Sequence, residues 1–250
     1  MEVRLTGTNK MADYLLMKRY RGLLSALVLA ISFVPCAVNA GDVFTGYQID
    51  HRGQYYSYLG IRTPLTRNDS SVQPFFQVLG AGLGYTFKEN GVNRDADVQF
   101  ASPSIGIKYR QGAWNYIAFA GPQFRWKQED RLSGGRTSQQ DVGVYAQGEA
   151  FYWHEHGTFH AIASYTNLDH FIWSRVRATR LVHRADGPCC SVYLGWDIAA
   201  MGNKDFYAAQ TGPLVQVPID RFYVTVKGGY QYTYTFQNGA YGGIELYFPF

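Results

Sequence analysis

The chain has 250 residues, 46% of them hydrophobic and 17% charged, enough for one sizeable domain and hardly enough for two. Tyr (20), Phe (16) and Gly (27) are prominent and Cys numbers three, a balance that suits strands with aromatic girdles better than a Leu/Ala-rich helical bundle. The formal net charge is +4, but residues 1–40 hold five of the 23 basic and two of the 19 acidic residues; the remaining 18 against 17 leave +1, which excludes an electrostatic footprint for nucleic acid.

The first predicted element is an export signal. Lys18, Arg19 and Arg21 form a basic region, Leu23 to Val34 (LLSALVLAISFV) a nearly unbroken apolar run, and Pro35 ends it. Val38-Asn39-Ala40 then offers a small residue at −1 and a tolerated one at −3 for a signal peptidase. The run is too short to span a bilayer, which takes about 20 apolar residues. Residues 1–40 are therefore expected to be a signal peptide and 41–250 a single domain. Met17 offers a normal start, with 1–16 either an upstream misread start or a long basic region. Pro35 before Cys36 makes a poor lipid-attachment motif. Export leaves the adjacent pair Cys189-Cys190, read as loop residues after Gly187-Pro188 rather than as a metal site.

Beyond residue 40 the hydrophobic pattern has period two, not 3.6. Phe75, Gln77, Leu79, Ala81, Leu83, Tyr85 and Phe87 alternate with Gly80, Gly82 and Gly84. Trp114, Tyr116, Ala118 and Ala120 alternate with Asn115, Gln123, Arg125 and Lys127 further on. Val142, Val144 and Ala146 oppose Tyr145, Gln147 and Glu149; Ile172, Val176 and Ala178 oppose Trp173, Arg175 and Arg177. In the clearest case Phe222, Val224, Val226, Gly228, Tyr230 and Tyr232 share one face, with Tyr223, Thr225, Lys227, Gly229 and Gln231 on the other. Asn90-Gly91, Ser133-Gly134-Gly135, Asp186-Gly187, Gly202-Asn203 and Asn238-Gly239 supply turn residues between the runs. The pattern predicts about twelve strands, with ten as the alternative count. They fall near 43–50, 55–63, 75–88, 98–109, 114–127, 140–152, 158–166, 170–181, 191–199, 205–217, 222–235 and 240–250.

Many of these runs reach the 9–11 residues that a tilted strand needs to cross a bilayer, whereas soluble sandwiches prefer about 5–6. Aromatics gather near strand ends at Tyr85/Phe87, Trp114/Tyr116, Trp126, Tyr152/Trp153 and Tyr232/Tyr234, where they could meet the headgroups. The final run places Ala240, Gly242, Ile244, Leu246, Phe248 and Phe250 on one face and Tyr241, Glu245 and Tyr247 on the other. An alternating last strand ending on an aromatic residue resembles the insertion signal of outer-membrane barrels. The expected fold class is all-β: a closed antiparallel transmembrane β-barrel in the bacterial outer membrane.

Chemistry is sparse. His154 and His156 flank Glu155 at a turn, with no further ligands in view, and His160 and Ser164 share a strand face about 13 Å apart, too far for a direct hydrogen bond. The inward series Arg125, Glu149, Arg175, Arg177, Lys227 and Glu245 has a plain role in filling a polar lumen, with Glu149 and Glu245 as counter-ions to Arg175 and Arg177. Inward Tyr145, Trp173, Tyr223 and Tyr241 could serve as glycan platforms. Neither a catalytic residue nor a cofactor is assigned.

Three stretches carry a resemblance: Phe159–Arg180 (FHAIASYTNLDHFIWSRVRATR), Asp205–Val215 (DFYAAQTGPLV) and Val226–Phe250, with Gly228-Gly229-Tyr230 and Tyr241-Gly242-Gly243. Over residues 43–250 the chain resembles the BcsS-type proteins encoded with bacterial cellulose-synthesis machinery. The resemblance implies a non-catalytic outer-membrane accessory of cellulose biosynthesis or secretion. Its expected partners are outer-membrane lipid and either cellulose chains or other components of a cellulose secretion complex. A lipid- or glycan-modifying enzyme and a structural barrel or small pore unrelated to cellulose are the alternatives; the chain lacks the closely spaced His-x-Ser pattern of the lipid A deacylase family.

Overall fold

A computed structural model describes residues 41–66, 70–89, 91–130, 135–185, 191–234 and 238–250, without the side chains of 88 and 89. The export signal and the Cys189-Cys190 pair lie outside the described residues. Twelve strands follow in chain order: β1 (Asp42–Asp50), β2 (Tyr55–Pro64), β3 (Val72–Glu89), β4 (Val92–Gln111), β5 (Trp114–Asp130), β6 (Arg136–His154), β7 (Gly157–Thr166), β8 (Phe171–His183), β9 (Val192–Gly202), β10 (Tyr207–Ile219), β11 (Phe222–Thr233) and β12 (Gly239–Pro249). Each pairs antiparallel with the next, and β1 closes on β12 in register from Asp42↔Pro249 to Asp50↔Tyr241. Gly41 and Phe250 exchange two backbone hydrogen bonds of 2.6 and 2.8 Å, sealing the seam at what we call the terminal end. Where the twelve strands ring the barrel, closure leaves no unpaired edge, the condition for a sheet to sit in hydrocarbon.

The twelve strands answer the sequence expectation, with one systematic difference. β4 begins at Val92 rather than near 98, and β6 at Arg136 rather than near 140. Asn93, Arg94, Asp95 and Asp97 interrupt the apolar rhythm, yet their backbone completes the β3–β4 and β4–β5 ladders. A polar strand end of this kind lacks the apolar alternation by which a strand is read from sequence.

The two faces of the wall are chemically opposite. Outward positions are apolar and bare, with Val142 69%, Ile105 67%, Ile198 54% and Val226 53% exposed. A belt of such residues around the whole wall has the character of a lipid-facing surface. Outward aromatics ring both ends: Tyr109, Trp114, Tyr116, Tyr152 and Phe159 in mutual contact at the terminal end, Trp126, Tyr207, Tyr232 and Tyr234 at the far end. Tyr85, Phe87 and Trp153, expected among the headgroup aromatics, take inward positions instead; Phe87 lies under Arg94 and Trp153 against Tyr193 and Tyr223.

Inside, the barrel is divided. Phe75, Leu79, Ile117, Phe119 and Tyr145, with Phe44 and Tyr58 against them, make an apolar cluster on the β1–β6 side. The β7–β12 side carries most of the buried charge.

Candidate functional site

Parity along each strand places the charges. On β8 the odd residues face in, so Trp173, Arg175, Arg177 and Thr179 line the lumen while Val176 faces out. The same alternation turns Asp197 of β9, Lys227 of β11 and Glu245 of β12 inward. Glu245 is the hub: Arg175 Nη1 and Lys227 Nζ reach its Oε1 at 3.0 and 2.9 Å, and Arg177 Nη2 reaches Oε2 at 3.0 Å. Arg177 also donates through Nε and Nη2 to Asp197 Oδ2 at 3.0 and 2.9 Å. Asp197 is wholly buried, 0% exposed.

A second group adjoins the first. Glu149 and Arg175 stand in one cross-strand row, each opposite Ile162. Glu149 accepts from Arg62 Nη2 at 2.7 Å and from Gln147, and its other oxygen lies 3.4 Å from His160 Nε2. Arg62 also donates to Gln77 at 2.9 Å, and its guanidinium lies 4.9–5.7 Å from the centroids of Phe44, Phe75 and Phe119. An apolar cluster next to a guanidinium is favourable because the ring faces carry negative quadrupole charge. Buried ions on both sides are matched to counter-ions, as burial requires.

The structure thus gathers Arg175, Arg177, Lys227 and Glu245, as expected, and redistributes the rest. Glu149 does not serve Arg175 or Arg177; its cation is Arg62. Arg125 stands apart at the far end, bound to Asp141 at 2.8 Å and to Asp169 of the β7–β8 turn. Tyr145 belongs to the apolar cluster, and Trp173 lies under Arg175 at 5.6 Å. Tyr223 faces Trp153 at 5.3 Å near the terminal end. Tyr241 is buried with a hydroxyl that has no partner, as has Asp197 Oδ1. These four aromatics do not form one platform.

The inward series named from the sequence contains neither Arg62 nor Asp197. Both sit on the inward parity of their strands, Arg62 after Tyr56, Tyr58 and Gly60, and Asp197 between Gly195 and Ala199. A polar residue on that parity was the available signal. His154 and His156 lie exposed at the β6–β7 turn, and no group of three or more His, Cys, Asp or Glu among the described residues could hold a metal. His160 is turned to Glu149, and Ser164 Oγ donates to the Trp173 carbonyl at 3.5 Å.

A closed twelve-strand wall, apolar outside and charged within, defines an outer-membrane-type β-barrel. The chain belongs to the family described as cellulose biosynthesis protein BcsS, whose model matches residues 39–250. No curated protein matches it. Among solved structures, the transport unit of the autotransporter AIDA-I from Escherichia coli is 10% identical with a TM-score of 0.50, covering 90% of this chain and 97% of that one. LpxR from Salmonella typhimurium is 10% identical with a TM-score of 0.49, covering 83% of this chain and 99% of that one. The translocator domain of NalP from Neisseria meningitidis is 10% identical with a TM-score of 0.48, covering 96% and 97%. At such identities the likeness to AIDA-I shows the fold alone.

Proposed function

We propose that the protein is exported through a signal peptide cleaved after Ala40, leaving residues 41–250 as a single outer-membrane barrel domain. There it acts as a non-catalytic accessory of cellulose biosynthesis or secretion, touching cellulose chains or another component of the secretion complex. The pathway part of this reading rests on family membership over residues 39–250. The observation that supports a non-catalytic role is the state of the lumen carboxylates. Glu149, Asp197 and Glu245 are each clasped by arginine, and Glu245 by three cations. Their separate engagements with cations leave, among the described residues, no free acid pair of the kind glycoside hydrolysis uses.

A second reading, a lipid- or glycan-modifying enzyme, draws on the His160–Glu149 contact, since a histidine oriented by a carboxylate is a general-base arrangement. One experiment separates the readings. The gene is deleted, and secreted cellulose and synthase activity in isolated membranes are both measured. Lower surface cellulose with intact synthase activity is expected; unchanged cellulose removes the pathway role. Complementation with Glu149→Gln and Glu245→Gln then asks about chemistry. Loss of function from either, in a barrel that still folds and reaches the outer membrane, makes a catalytic or glycan-binding lumen the better account.

A further inference from the structure

Four strands overshoot the barrel at the far end. β3, β4, β5 and β6 run to 18, 20, 17 and 19 residues, whereas the other eight have 9 to 13. The β7–β8 turn ends its pairing at the level of Val144 and Tyr145, where Asn167 bonds the Val144 backbone. β2 likewise begins opposite Gly84. The remainders of β3 and β6, with the β4 and β5 segments between them, stand on as a four-stranded wall. The eight residues of β6 before Val144, 136–143, correspond to about 26 Å along the strand.

The register lays out the side of this wall that continues the lumen lining. Successive rows read Ala81–Phe100–Arg125–Asp141, Leu83–Val98–Lys127–Gln139 and Tyr85–Ala96–Glu129–Thr137, with Phe87 opposite Arg94. The β3–β4 half is apolar and aromatic: the Tyr85 and Phe87 rings lie 6.0 Å apart, with the Arg94 guanidinium 5.3 Å from the Phe87 centroid. The β5–β6 half is hydrogen-bonding: Gln139 donates to Asp141 at 3.0 Å, Asp141 accepts from Arg125, and Lys127 pairs with Glu129. Among the described side chains, charge on the face balances. Arg94, Arg125 and Lys127 stand against Glu129, Asp141 and Asp169. A face built to take a polyanion would leave cations in excess; this one offers rings beside paired donors and acceptors, with no excess of cations among its described side chains.

We propose that this face is a binding site for a neutral β-linked glucan chain, with pyranose rings stacked on Tyr85 and Phe87 and hydroxyls bonded by Arg94, Lys127, Gln139 and Asp141. The inference rests on the cellulose reading above, from which it takes the identity of the sugar; the ring-and-amide chemistry comes from the wall itself. It assigns the glucan contact to the projecting wall rather than to the lumen, where cross-lumen ion pairs already occupy the inward side chains.

The test uses the full barrel reconstituted in phosphatidylcholine vesicles and titrated with cellohexaose, with maltohexaose and an oligogalacturonate as comparison sugars and lipopolysaccharide vesicles as competitor. Binding of cellohexaose is expected, at least tenfold tighter than that of either comparison sugar and untouched by lipopolysaccharide. The Tyr85→Ala/Phe87→Ala double variant should weaken it at least tenfold, Tyr85→Phe should retain it, and both should keep the heat-modifiable migration of the folded barrel. Tighter binding of the oligogalacturonate, or displacement by lipopolysaccharide, overturns the assignment in favour of an anionic ligand. Full binding by the double variant overturns the site. No cellohexaose binding in a protein whose deletion still lowers secreted cellulose removes this site while leaving the pathway role standing.

Discussion

Arg62 of β2 reaches Glu149 of β6 across the lumen, Nη2 to Oε1 at 2.7 Å, joining strands that are not neighbours in the wall. Their side chains are each 9% exposed, so the pair is held away from solvent and replaces hydration with mutual contact, the Gln77 and Gln147 amides and three ring faces. The Glu245 hub does the same from β8 to β12, and the barrel is cross-braced as well as hydrogen-bonded around its circumference.

Breaking one partner of a buried pair strands the other, at a cost of about 3–5 kcal/mol. Glu245→Gln leaves Arg175, Arg177 and Lys227 crowded around a neutral amide, whereas Glu149→Gln deprives Arg62 and His160. Urea unfolding in vesicles should show both variants destabilised, with Glu245→Gln the worse. Wild-type stability for Glu245→Gln would mean that the hub is not formed.

Adjacent residues on β11 should respond oppositely to charge. Val226 is 53% exposed on the lipid side and Lys227 9% exposed on the lumen side. Val226→Arg should cost about 2–4 kcal/mol near the bilayer midplane. Lys227→Gln should be mild, because two arginines remain on Glu245. Equal tolerance in the same unfolding measurement would reverse the assignment of faces.

Two glycines mark where β10 and β11 approach too closely for a side chain. Pro213 cannot donate to the ladder, whose register lapses between Thr211 and Leu214. There a Cβ on Gly229 would lie 2.1 Å from the Thr211 carbonyl oxygen and 2.7 Å from Gly212 Cα. Gly229→Ala should abolish the heat-modifiable band, since backbone has to move. Gly148→Ala, where nothing lies within 4 Å, should fold like wild type.

Arg125 ties the β7–β8 turn to β5 and β6 through Asp169 and Asp141. Asp169 and His170 hold φ of 59° and 49°, conformations that L residues adopt reluctantly. Arg125→Gln should free that turn. Amide exchange at 168–170 is expected to rise a few-fold, in keeping with about 1 kcal/mol for a partly exposed charge network, with no change at β10.

The sequence by itself determined the barrel. Period-two alternation, turn dipeptides and strand lengths are local properties, and a residue such as Val226 or Lys227 declares its face through its neighbours two positions away. Family likeness was legible too, in the stretch Phe159–Arg180 and the closing strand. Pairing across the lumen was not. That Glu149 belongs to Arg62, that Asp197 is buried beneath Arg177, and that Tyr85 and Phe87 stand beside Arg94 on a projecting wall depend on the register of separate hairpins and on which strands come to face each other when the sheet closes. Alternation fixes only which side of its own strand a residue takes. Its partner is chosen by closure, which brings together side chains 87 positions apart, and only the tertiary structure decides it.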